Sequence, residues 1–151
     1  MKWPSNTQEV NADRKLLIIL SMSHFAMELH DSRIETVHLH DNCLTIRLTV
    51  ILHESDGRPG LDDGIVWLQR AELLINKIAT QNIGGISSGI ISEGEVRVGS
   101  SIHSNLVPLP LTTSEQLVLA VSFTTGEQFH VWGFGGEVRL GSERQFLEQF
   151  H

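Results

Sequence analysis

Two runs of alternating apolar and polar residues meet at Asp41-Asn42, and this junction constrains the chain more than any other stretch. A tight two-residue turn there pairs positions whose numbers share one sum, so Leu39 faces Leu44 and Val37 faces Ile46. Both apolar pairs fall on one face. The other face pairs His40 with Cys43, His38 with Thr45 and Thr36 with Arg47, which is a polar surface. Turn chemistry and register agree, and they predict an antiparallel hairpin over 34–52 with one side against a core.

The segments on either side are read against that hairpin. Residues 1–15 are polar at first, contain Pro4 and show no apolar period, so they are expected to be a loose tail before a single β domain over 16–151. Leu16 to Leu20 is a continuous apolar run that fits a buried strand or the start of a helix. Ser23 has the chemistry to cap a short helix carrying Phe25, Ala26 and Leu29. After the hairpin, Glu54 to Gly64 supplies turn residues, and Ile65 to Ile78 reads as a strand with Trp67, Ala71, Leu73 and Ile75 on one face. Val66, Leu68, Leu74 and Ile78 make the other face apolar too, so it needs a cover; a second copy of the chain is one candidate, and a helix is the alternative for this segment.

A strand is predicted at Glu93 to Val98, an extended connector at Val107 to Leu111, and an alternating strand at Leu117 to Phe123 ending in a Thr125-Gly126 turn. Gly135-Gly136 reads as a hairpin turn that sets Val131 opposite Leu140, Gly133 opposite Val138 and Trp132 beside Arg139. Ser142 and Gln145 have the spacing of a capping box, which predicts a closing helix over Glu143 to Phe150. The sum is a mostly all-β fold, an antiparallel β-sandwich or partly closed barrel, with one or two short helices near the N- and C-terminal ends.

Charge and cysteine content narrow the setting. The 151 residues carry a formal net charge of -7, which leaves no general basic footprint for nucleic acid or an anionic membrane. The lone Cys43 cannot form an internal disulfide, so a cytoplasmic, soluble protein is expected. Arg14-Lys15, the apolar run and Ser21-Met22-Ser23 compose the competing reading, a secretory leader, and Met22 is a second candidate start.

Five groups of side chains have the residue types that chemistry uses. His38 and His40, two apart on a strand, point the same way as two zinc ligands must, with His30 as the third imidazole of a metal-assisted hydrolase. His30-Asp31-Ser32 contains the residue types of a hydrolytic triad, but with no Gly-x-Ser-x-Gly elbow the stretch reads instead as a polar turn bonding nearby backbone amides. Glu54, Asp56, Asp62 and Asp63 offer carboxylates without the spacing of a calcium loop. Gly84-Gly85-Ile86-Ser87-Ser88-Gly89 lacks the lysine of a phosphate loop. Lastly, His130, Trp132 and Phe134 share the outer side of one strand, where they either bind a ligand or lie under the closing helix. No closed metal set and no paired nucleophile and base emerge, so the expected function is a non-enzymatic binding or protein-interaction module needing no cofactor, with a protein partner or self-association preferred over a small molecule.

Overall fold

A computed structural model describes residues 23–85 and 88–151. The tail, the Leu16 to Leu20 run, the Met22 start and the leader reading lie outside the described residues, as do Ile86 and Ser87. The strands are β1 (His24–His40), β2 (Cys43–Ser55), β3 (Gly64–Ile75), β4 (Ile83–Gly85), β5 (Gly89–Val98), β6 (Ser101–Ser104), β7 (Leu106–Leu109), β8 (Thr112–Phe123) and β9 (Gln128–Phe150), with a 3-10 turn at Thr80–Asn82.

The β1–β2 hairpin has the register that its alternation predicts, with Leu39 opposite Leu44, Val37 opposite Ile46 and His38 opposite Thr45. Asp41 and Asn42 take φ of 49° and 63°, the backbone that a twisted two-residue turn demands and that these side chains tolerate. From there β2 pairs with β3, β3 with the second half of β9, the first half of β9 with β8, and β8 with β5. Arg33 and Ile34 of β1 then meet Ile90 and Gly89 of β5, so six strands complete a circuit and the sheet is a partly closed barrel. On the N-terminal side of Asp31 the strands β1 and β5 diverge, and Asn105 fills the fork: its N–H donates to the Gly94 carbonyl, while its carbonyl and side-chain oxygens accept from the Leu29 and His30 amides.

Inward-facing residues follow period two. Leu44, Ile46, Leu48, Val50 and Leu52 of β2 lie opposite Ile75, Leu73, Ala71, Gln69 and Trp67 of β3. Leu117, Leu119, Val121 and Phe123 of β8 complete the interior with Phe129 and Val131 of β9, all buried. Trp67 to Ile75 is thus a strand and not a helix.

Both predicted terminal helices are strands. Phe25, Met27 and Leu29 alternate inward, and Phe25 and Met27 pair with Leu109 and Val107, so two-sided strand pairing overrides the local capping signal at Ser23. Val107 and Leu109 accordingly belong to an edge strand, with Pro108 opposite Ala26. At the other end β9 runs unbroken to Phe150, which pairs with Gly64, because the open edge of β3 supplies backbone partners that an isolated helix turn would lack.

The Gly135-Gly136 hairpin is likewise absent. One strand passes through both glycines, leaving β8 on one edge and reaching β3 on the other. A methyl group at Gly136 would sit 2.0 Å from the Leu74 carbonyl oxygen, so these glycines permit close strand approach in place of a turn. Trp132 consequently faces Val118, and Arg139 faces Glu72. Among the described residues no helix is long and apolar enough to cross a membrane.

Candidate binding face and grooves

The outward residues of β5, β8 and the first half of β9 form successive rows. Glu93, Ser122 and Gln128 share one row, and Glu95, Ala120 and His130 the next, with Gly84 of β4 beyond His130. The floor residues Ala120 and Ser122 are small while their neighbours are long, so the face is concave. The result is a groove of about 580 Å³, closed at one end by His30.

His30 reaches this groove because β1 carries a bulge. Asp31 adopts φ 68°, and the register slips between Glu28 and Arg33. Ser32 turns fully inward, where its hydroxyl donates to the Glu28 carbonyl at 2.5 Å and accepts from the Ile51 amide at 3.0 Å. Ser32 therefore serves the backbone and points away from His30, at a bulge within β1 and not at the expected turn into Ile34. The His30 Nδ1–H donates to the Ser92 carbonyl at 2.7 Å, and Nε2 lies 3.4 Å from Asp31. The Ser92 carbonyl first, and the Asp31 charge second, raise the His30 pKa above its ordinary value.

His130 is exposed and rests against the backbone of Gly84, where an added methyl would stand 2.5 Å from the imidazole Cε1. Trp132 and Phe134 continue the outer side of the strand, their rings T-shaped at 5.8 Å. Phe134 is 45 % exposed, His130 is exposed and Trp132 is half-buried, and among the described residues no helix covers them. His130 belongs at once to this aromatic ladder and to the groove.

The remaining candidate groups are placed as follows. His38 and His40 stack at 6.4 Å near the tip of the hairpin, both exposed, whereas His30 lies across the bulge beside Ser92. Cys43 faces His40 on the ladder. Among the described residues no group of three His, Cys, Asp or Glu side chains is arranged to hold a metal ion. Asp62 of the acidic loop is taken up by Arg58, whose hydrogen bonds lower its pKa. Gly85 packs on the Gln128 carbonyl, so the glycine-rich stretch is partly a close-approach edge beneath the groove.

Sequence reasoning passes over three further features. Glu93, Glu95 and Gln128 become neighbours of the imidazoles only through the ladders of β5, β8 and β9. His53 is buried, with Nε2 2.7 Å from Glu28 and its ring edge-on to Phe150 at 5.3 Å. A second groove, of about 590 Å³, lies over β2, β3 and the second half of β9. Period-two alternation around Glu93 and Glu95 signals an outward face, but nothing local names the strand beside it. Comparison with family models, curated proteins and solved structures finds no match for this chain.

Proposed function

We propose that the protein is a non-enzymatic binding module that recognises a polypeptide segment across the outer face of β5, β8 and β9. The observation that carries this reading is the pair of half-buried Trp132 and exposed Phe134, which runs through His130 into the polar groove. Aromatic rings beside convergent polar groups supply contact area and orientation together, which is what segment recognition requires. Glu93, Glu95 and Gln128 provide acceptors and donors along one side, and Ala120 and Ser122 leave room for a backbone to lie close. Nothing in this arrangement asks for a nucleophile or a metal.

The test compares capture from native host extract by the wild-type protein and by a Trp132→Ser, Phe134→Ser variant, read by quantitative mass spectrometry. A protein retained by the first and depleted at least about tenfold with the second, both folded, supports the reading. Identical captured sets overturn it.

A further inference from the structure

The second groove gathers three arginines, which is unexpected in a chain of net -7, and sets them beside Glu35 and Glu72. The ladder register sets Thr36 opposite Arg47, Arg47 opposite Glu72 and Glu72 opposite Arg139. One row along, Arg33 lies opposite Thr49, and Thr49 opposite Arg70. Residues directly opposite on an antiparallel ladder share a face, so Arg33, Arg47, Arg70 and Arg139 all project from the same outer surface.

Two of these four guanidinium groups are already engaged. Arg47 pairs with Glu72 at 3.1 Å, and Arg139 with Glu137 at 2.7 Å. Glu35 accepts from the Thr49 hydroxyl at 2.9 Å. Arg70 is exposed, and among the described residues no carboxylate lies within salt-bridge distance of it. It also stands at a break in the ladder. Between Ala71 opposite Leu140 and Gln69 opposite Arg144, β3 spends Arg70 alone while β9 spends Gly141, Ser142 and Glu143. The Gln69 amide donates to the Gly141 carbonyl and pins this bulge. A methyl at Gly141 would come within 3.2 Å of the Arg70 carbonyl oxygen, so the glycine keeps the recess shallow-walled and open.

We infer that this groove is a second binding site, independent of the aromatic face, that takes the phosphate or carboxylate oxyanion of a small ligand on Arg70, flanked by Arg47 and Arg139. A guanidinium presents a planar fork that matches two oxygens of such a group, and an Arg without a carboxylate partner has that fork available. Glu35 and Glu72 line the groove as well, and with Arg47 and Arg139 held by Glu72 and Glu137 it is Arg70 whose fork is free. The groove volume exceeds that of a bare ion, so the rest of the ligand lies over Thr36 and Leu140.

The experiment titrates the purified protein with inorganic phosphate and, separately, with acetate, following the arginine Nε–H signals by NMR. Saturable shifts are expected at Arg70 and at its neighbours Arg47 and Arg139, and the affinity read from those two neighbours should fall about tenfold with Arg70→Gln and less with Arg70→Lys, which keeps the charge but loses the fork. Arg97→Gln, outside the groove, should leave them unchanged. Tighter binding of phosphate assigns a phosphoryl source, and equal or tighter binding of acetate assigns a carboxylate. No saturation with either anion, or equal loss in Arg70→Gln and Arg97→Gln, overturns the proposal.

Discussion

The two grooves have nearly the same volume, about 580 and 590 Å³, and lie on the same sheet, yet they present different chemistry. The first sets Glu93 and Glu95 against two imidazoles over a floor of small residues. The second gathers arginines around a bulge. Strand β9 builds both, with its first half walling one and its second half the other. The β1 bulge divides them, sending His30 into the first groove and Arg33 toward the second. What a groove recognises is thus decided by which few residues alternate outward, while the alternating inward set stays mostly apolar.

If both grooves hang from one strand and one core, a hole under either should loosen both. Phe129, 1 % exposed, lies in the core beneath the first groove. Phe129→Ala should cost about 3–5 kcal/mol from lost burial and the cavity left behind. Amide exchange should then accelerate in β3 as well as in β8. A change confined to β8 would show that the two halves unfold separately and that the shared-core comparison is wrong.

A smaller effect tests the divider. Ser32→Ala removes the acceptor of the buried Ile51 amide and the donor to the Glu28 carbonyl, so a loss of about 1–3 kcal/mol is expected from denaturant unfolding. Spectral changes should reach His30 on one side and Arg33 on the other. A variant within about 0.5 kcal/mol of wild type would mean that something other than Ser32 holds the bulge.

The third change should touch one groove alone. Gly84→Ala places a methyl 2.5 Å from the His130 ring, which is exposed and free to swing away, so the fold should lose under about 1 kcal/mol. His130 resonances should move while those of Arg70 stay put. Movement of both would show coupling between the grooves along β9.

How much of this was legible beforehand depends on sequence distance. The 34–52 hairpin could be read to the residue because its turn, register and apolar face are set within a few positions of Asp41. The outward alignment of His130, Trp132 and Phe134 follows from period two alone. Gly135-Gly136 misleads, because the reason for glycine there is the Leu74 carbonyl, some sixty positions away in the chain. Ser142 and Gln145 mislead in the same way, since a capping box is local and the β3 edge that overrides it is not. The arginine groove was invisible for a further reason: net charge averages over the surface, and only the ladders joining Arg47, Glu72 and Arg139 show where the positive groups gather.

The weakest expected effect is also the one that most cleanly separates the grooves, because only the first is lined by histidines. The hydrogen bond to the Ser92 carbonyl requires a proton on Nδ1 of His30, and the Asp31 carboxylate favours a second on Nε2. Both raise the pKa above 6.5, so NMR titration of the His30 Cε1–H should place its midpoint above that value. A folded pKa above the unfolded one means that the contact's contribution is complete below 6.5 and fades as pH climbs through the folded midpoint. Asp31→Asn should bring the midpoint down part of the way, since the larger cause, the Ser92 carbonyl, remains. The first groove then gains positive charge on mild acidification while the arginines of the second stay fully charged. A wild-type midpoint at or below 6.5 would show that neither the Ser92 carbonyl nor the Asp31 carboxylate favours the charged ring.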